Sequence, residues 1–170
     1  MSLYGSYIST PLGEMLAVSH DKGICLLNFT DNPLLNREIQ IIEQYLKTSI
    51  QYCNHSHLLH LQQELQDYFN GQLQQFTTPL LFVGTPFQQQ VWQALLQVPY
   101  GQTTYYQALA ESLQNPKAIR AVAMGNARNH ILILIPCHRV IGKNGHLVGY
   151  SAGIGKKEAL LTLEKYHHSF

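Results

Sequence analysis

Two turn signals, Pro11-Leu12-Gly13 and Asp21-Lys22-Gly23, cut the start of this chain into segments of strand length, and no other feature constrains the fold as strongly. Tyr4 to Thr10, Gly13 to Ser19 and Gly23 to Phe29 read as three short strands in an antiparallel meander. Beyond them, Leu34 to Lys47 and Leu58 to Phe69 carry apolar residues at helical spacing, and Asn70-Gly71 stops the second helix. Leu80-Leu81-Phe82-Val83, between Pro79 and Gly84, is either another strand or an extended link. The first half therefore reads as α+β structure built on a small antiparallel sheet.

The second half reads as mainly helical. Thr85-Pro86 ahead of Phe87, Val91, Trp92 and Leu95 predicts a capped helix with proline in its first turn, ended by Pro99-Tyr100-Gly101. Thr103 or Thr104 is expected to cap a short helix through Ala110, and Asn115-Pro116 to open another through Ile119, Arg120, Val122 and Ala123. Those two helices have helix-turn-helix proportions, and alanines and a glycine keep the second slender enough to approach a duplex closely. Leu160, Leu161, Leu163 and Glu164 lie on a final helix that can turn one carboxylate inward. The expected domains are residues 1–84 and 85–170.

At 170 residues, with 45% apolar and 12% charged residues, the chain has the composition of a folded soluble protein. No apolar stretch reaches transmembrane length, and the amino terminus lacks a basic region followed by an apolar run, so a cytoplasmic location and no membrane partner are expected. Cys25, Cys53 and Cys137 are too few for a disulfide framework, which fits a reducing compartment. The net charge of +1 conceals a division: residues 1–84 carry three basic against seven acidic side chains, residues 85–170 eight against three. That asymmetry points to an anionic partner for the second half, or to a charged solvated face.

The chemistry centres on Ile135-Pro136-Cys137-His138-Arg139-Val140, where the apolar stretch Ile131 to Ile135 gives out. A thiol, an imidazole and a guanidinium meet there at the wall of a pocket. Cationic neighbours lower a cysteine pKa from its free value of about 8.5 and favour the nucleophilic thiolate. Gly142 to His146 reads as a turn, and Gly149 to Gly153 as a flexible loop able to bring backbone close to a ligand. His55, His57 and His60 near Cys53 match no strong zinc spacing and read as solvated histidines.

Val91-Trp92, Val98-Pro99-Tyr100-Gly101, Tyr106, Asn115-Pro116-Lys117-Ala118, Arg120-Ala121-Val122, Asn129, Pro136-Cys137-His138-Arg139-Val140, Gly149-Tyr150 and the ending Lys157 to Glu164 together resemble the methylated-DNA-protein-cysteine methyltransferases, which repair O6-alkylguanine. The resemblance is strong over residues 85–165 and rests mainly on length and element order before that. It implies a ribonuclease H-like first domain and a winged-helix-like second domain that binds DNA and accepts the alkyl group. The implied reaction moves a methyl group from O6-methylguanine, with O4-methylthymine as a second substrate, to Cys137, once per molecule.

The resemblance further implies that His138 acts through a water to hold Cys137 as thiolate and that Glu164 orients His138. Arg120 would fill the space of the extruded nucleotide, and Tyr106 would press on the backbone phosphate and donate to guanine N3. Asn129 would join the recognition helix to the active-site loop. Trp92, Asn129, Val140, Tyr150 and Ser151 would belong to the substrate pocket, with Ser151 near O6 and the carbonyls of Cys137 and Val140 taking the exocyclic amine. The implied partner is double-stranded DNA containing alkylated guanine, bound through the minor groove by a monomer. General chemistry supports these roles. A base inside a stack is out of reach of a thiolate, so the nucleotide must leave at a cost of a few kcal/mol, and the departing guanine needs a proton donor.

Taken singly, Arg120, Tyr106, Asn129, Glu164 and Ser151 each have an ordinary structural reading; their joint order around Cys137 assigns them chemistry. The chain departs from the family at His130, where proline is usual, at Leu132, at Tyr105, and at Ala123-Met124, where a smaller pair is usual. Leu132 is expected to narrow the pocket against bulky substituents. A damage sensor of the same fold, or a helix-turn-helix regulator, would bind without consuming a thiol; the sensors replace the acceptor cysteine, which is present here. Cys25 lacks a correspondingly placed upstream cysteine, so the family's amino-terminal zinc pattern is absent and neither metal nor cofactor is expected. Elemental analysis of the purified chain should find no stoichiometric metal ion.

Overall fold

The computed structural model describes residues 2–166, and the chain divides into two compact units, the first ending at Val83 and the second beginning at Gly84. The last four residues of the expected 85–170 domain lie outside the described residues. In the first unit, β1 (Leu3–Thr10), β2 (Gly13–His20) and β3 (Gly23–Phe29) form the antiparallel meander that the turn signals predict, with Tyr4 opposite Ser19 and Thr10 opposite Gly13. A bulge between Val18 and Ser19 shifts the β2–β3 register.

The sheet is not wholly antiparallel. After helix α1 (Leu35–Leu46), the three-residue strand β4 (Ile50–Tyr52) pairs in parallel with β1, giving the order β3-β2-β1-β4. Parallel pairing needs a crossover, and α1 supplies it. Every residue of β3 and six consecutive residues of β2, Met15 to His20, are buried, which requires cover on both faces. Leu35 and Ile42 of α1 join Leu3, Leu16, Val18, Cys25, Leu26 and Val83 in one apolar cluster. Burial there pushes the Cys25 thiol up to about 12, so it is an inert core residue. Helix α2 (Ser56–Phe69) buries Leu58, Leu61, Leu65, Tyr68 and Phe69.

The histidines at the start of α2, His55 as its N-cap and His57 and His60 within it, each have their own structural contact. His55 caps α2 and stacks on Tyr4 at 4.5 Å, and His57 Nε2 donates to the Asp21 carbonyl at 2.9 Å. His60 Nε2 lies 3.1 Å from Thr77 Oγ1.

Leu80 to Val83 is an extended link joined to the sheet by a single bridge, in which Pro79 and Leu81 bracket Ile24 through two hydrogen bonds of 2.8 Å. Glu64 on α2 fixes the approach to that link: its carboxylate accepts both the amide and the hydroxyl of Thr77 and of Thr78.

In the second unit, α3 (Pro86–Leu96) starts at Thr85 with a capping box to Gln88. The next helix departs from expectation. Thr104–Tyr105 form a short parallel bridge, β5, with Val140–Ile141, β6. This extended pairing delays α4 to Tyr106–Ser112, and neither Thr103 nor Thr104 caps it. Gln114, at φ 58, closes α4 with Asn115 N donating to Ala110 O at 3.0 Å, a Schellman ending. Asn115 to Ala118 then form a turn rather than a first helical turn, so α5 spans Ile119–Ala127. A 3-10 turn covers Cys137–Arg139, and α6 runs from Ile154 to Tyr166.

Burial raises the Glu64 carboxyl, but the hydrogen bonds from Thr78 and Thr77 outweigh it and hold the group below its ordinary value. Glu64→Gln should therefore cost about 1–3 kcal/mol at neutral pH. A depressed carboxylate stabilises the fold above its unfolded pKa of about 4.3, and that contribution is lost as the pH falls through the lower folded value. In urea denaturation, the gap between wild type and variant should be full at neutral pH and shrink on acidification below about pH 4.

Candidate alkyl-acceptor site

The segment from Asn129 to Cys137 is buried throughout yet contains no strand. Several of its backbone groups are satisfied by local hydrogen bonds. Asn129 Nδ2 donates to the Ile135 carbonyl at 2.8 Å, its Oδ1 accepts from Ile131 N at 2.9 Å, and Ile135 N donates to Ile131 O at 3.0 Å. One asparagine thus ties the end of α5 to both ends of the loop. Within it, Leu134 N donates to Leu132 O at 2.8 Å around Ile133, whose φ of 73 is a strained, rare γ-turn for a β-branched residue. Pro136, at φ −81 and ψ 61, centres the inverse γ-turn that delivers Cys137, with Cys137 N donating to Ile135 O at 2.7 Å.

Cys137 opens the 3-10 turn and is only 3% exposed. His138 is fully buried, and its Nε2 lies 2.7 Å from Glu164 Oε2 on α6. The other carboxylate oxygen accepts from Arg139 Nε at 2.8 Å, and Arg139 Nη2 reaches Oε2 at 3.0 Å, making a two-pronged pair. Arg139 Nη1 also donates to Val98 O at 2.7 Å, and its guanidinium lies 5.8 Å from the Tyr100 ring centre. Burial raises the Glu164 carboxyl, but His138 and Arg139 overcome this and hold it well below the usual carboxylate range. Burial, reinforced by the charges of Arg139 and Lys157, outweighs Glu164 and lowers the His138 pKa. The imidazole is therefore neutral, donating through Nε2–H to Glu164, while Nδ1 has no protein partner and keeps a basic lone pair.

Tyr106 sits at the start of α4, half-buried. Burial and the charge of Cys137 push its phenol up, and a hydrogen bond from Asn126 opposes them. The hydroxyl stays protonated as a donor at neutral pH. Tyr150, in the loop before α6, has a buried hydroxyl whose pKa is raised by burial, Cys137 and Glu164. Ser151 follows it, half-buried. Val140 O accepts a bond from Lys157 Nζ, and Cys137 O accepts from Val140 N; each carbonyl retains a second lone pair.

Arg120 lies on α5 and Trp92 on α3. Arg120 is exposed in the first turn of α5, on a face shared with Ala123, Met124, Ala127 and Arg128, and Met124 is 54% exposed there. Trp92 is buried where α3 packs on α5, donating from Nε1 to Gly125 O at 2.9 Å, with its ring 5.7 Å from that of His130. These contacts place Trp92 in the packing between α3 and α5.

Asn126 and Lys157 had no assigned role in the sequence reading, and Arg139 entered it only as a cation beside the thiol. Among the described residues, no group of three or more His, Cys, Asp or Glu could hold a metal ion.

Comparison with known proteins agrees with this geometry. Residues 86–166 match the 6-O-methylguanine DNA methyltransferase DNA binding domain, and residues 3–82 match the ribonuclease-like domain of the same enzymes. The methylated-DNA–protein-cysteine methyltransferase of Methanosarcina acetivorans is 38% identical over 162 residues, covering 95% of this chain and 98% of its own. The constitutive enzyme of Bacillus subtilis is also 38% identical, with 95% of each chain covered. Among solved structures, Mycobacterium tuberculosis OGT in complex with DNA superimposes with a TM-score of 0.82 at 35% identity, covering 98% of this chain and 95% of that one. With both halves matched and whole-length relatives at this identity, the chain belongs to the methylated-DNA–protein-cysteine methyltransferase family.

Proposed function

We propose that this protein repairs DNA by direct reversal, moving the methyl group of O6-methylguanine onto Cys137 in a single turnover. The observation that carries the reading is the buried pair of His138 Nε2 and Glu164 Oε2 at 2.7 Å beside the Cys137 turn, which leaves Nδ1 as a base. Through a water, Nδ1 takes the thiol proton. The thiolate then attacks the methyl carbon: the S–C bond forms, the C–O6 bond breaks, and the electron pair passes to the guanine ring, where the Tyr106 hydroxyl supplies a proton at N3. A thioether is a poor leaving group, so Cys137 stays methylated.

DNA is bound through the minor groove by the exposed face of α5. Its small residues allow close approach, and Arg120 fills the gap left by the extruded nucleotide. Tyr150 and Ser151 close over the base. Each chain carries its own nucleophile, base and carboxylate, so the reaction needs no second copy and the working form is a monomer. The exposed Cys53 and the acceptor thiol both suit the reducing cytoplasm.

Incubating the protein with a short duplex holding one O6-methylguanine, then measuring intact mass and mapping peptides, should show one methyl group gained on Cys137 and none in Cys137→Ala. Selective binding of the lesion without a mass change would overturn the reading in favour of a sensor. Arg120→Ala removes the side chain that offsets unstacking. It should slow transfer from duplex DNA by about 10- to 100-fold while leaving the reaction with the free O6-methylguanine base unchanged. An equal loss on both substrates would contradict the role assigned to Arg120.

A further inference from the structure

Lys157 is the one lysine of the described chain with no solvent exposure. Its Nζ donates to the carbonyls of Val140, Val148 at 2.7 Å and Gly149 at 3.2 Å. An ammonium has three protons, and all three are committed to these carbonyls. Lys157 therefore has no donor left for a substrate. A neutral amine would aim its lone pair at one of the carbonyl oxygens, so the three-carbonyl cage selects the charged form even though burial opposes it.

The three carbonyls come from two separate stretches. Val140 follows the Cys137–Arg139 turn directly, while Val148 and Gly149 lead into Tyr150 and Ser151. On the alkyl-acceptor reading, on which this inference rests, those stretches are the two walls that meet the extruded base. We infer that Lys157 is a positioning residue that clamps both walls of the base pocket through one ammonium and, in doing so, fixes a permanent positive charge within reach of the Cys137 sulfur.

The geometry brings the charge to the acceptor turn, since Lys157 holds the carbonyl of Val140, three residues after Cys137. Burial pushes the Lys157 pKa down while Cys137 pushes it up, as a cation and a thiolate in mutual reach require. The other ionisable groups around Cys137 supply less. His138 is held neutral, Tyr106 and Tyr150 stay protonated, and Arg139 is paired with Glu164. Lys157 is the cation of this cluster that no carboxylate neutralises among the described residues.

Three proteins test this: wild type, Lys157→Met, which keeps the length of the side chain without charge or donors, and Lys157→Arg, which keeps the charge but cannot converge three N–H groups on one point. Two rates are read at Cys137 by peptide mapping: alkylation by iodoacetamide from pH 5 to 9, and methyl transfer from the O6-methylguanine duplex. Circular dichroism and urea denaturation report the folded fraction. Lys157→Met should raise the midpoint of thiol alkylation by about one pH unit or more and slow methyl transfer at least about tenfold. Lys157→Arg should keep the midpoint near that of wild type while transfer still falls, separating the charge from the clamp. A folded Lys157→Met with unchanged midpoint and rate overturns the inference. So does a loss of transfer that merely tracks the loss of folded protein in either variant. Wild type that alkylates with iodoacetamide but takes no methyl would sink the alkyl-acceptor reading, and Lys157 would then be judged on the thiol midpoint alone.

Discussion

The second unit depends on one buried carboxylate. Glu164 is 1% exposed and faces the His138 imidazole and the Arg139 guanidinium, with Gly101 N at 3.4 Å from Oε1. A carboxylate in such a place is costly unless an opposite charge and full hydrogen bonding compensate it. Arg139 provides the charge, and this determines the chemistry of its neighbour. With the guanidinium neutralising Glu164, His138 need not be protonated to pair with the carboxylate. It stays neutral, and its Nδ1 stays a base. A chain with His138 and Glu164 but no Arg139 would favour an imidazolium, which cannot take a proton from a thiol. The residue that the sequence presents as a neighbour of the nucleophile is thus what keeps the base basic.

The same helix reaches the acceptor turn at two points. Lys157 and Glu164 lie two turns apart on the inward face of α6, with Leu160 and Leu163 buried between them. Glu164 holds His138 and Arg139; Lys157 holds Val140. Between them the helix governs the segment from Cys137 to Val140, while Asn129 governs its approach. Such anchoring is needed because the approach is strained. Ile133 in the left-handed region belongs to a class of conformations that cost about 1–3 kcal/mol, sustained only where surroundings over-determine them. The apolar burial of Ile131 to Ile135 and the Asn129 hydrogen bonds are that surrounding.

Local rules made much of this legible. The meander follows from glycine-bearing turns at fixed spacing, and α3 follows from Thr85-Pro86 with Gln88 at the capping-box position, because those devices act within a few residues. What escaped was set by distant partners. The strand Ile50–Tyr52 is too short for alternation to show, and its parallel partner β1 lies some forty residues earlier. The helix expected after Thr103 or Thr104 was displaced by pairing with Val140–Ile141. The apolar run Ile131 to Ile135 shows burial but not backbone form, because a side chain, Asn129, takes the place of a ladder there. The site itself was visible at Cys137, His138 and Glu164 through their ordered motif. Lys157 was not visible as a buried cation, since nothing local distinguishes it from an exposed lysine such as Lys165, and its three acceptors come from elsewhere in the fold.

This last point changes what the charge of the second half means. Counted along the chain, the excess of basic residues looks like a surface made for phosphate. In the fold, Arg139 is spent on Glu164 and Lys157 is enclosed by carbonyls, so both belong to the acceptor site and not to the DNA-facing surface. On α5 the exposed cations are Arg120 and Arg128, one at each end of a face otherwise made of alanines and Met124. On the minor-groove reading proposed above, a face with only these two cations would release few counterions on binding. On that same reading, discrimination would fall to extrusion of the base, which costs least where a modified guanine pairs poorly. Of the two basic residues withdrawn from the surface, Arg139 neutralises Glu164 and so keeps His138 a base, while Lys157, on the inference above, supplies the fixed charge that the Cys137 thiolate meets.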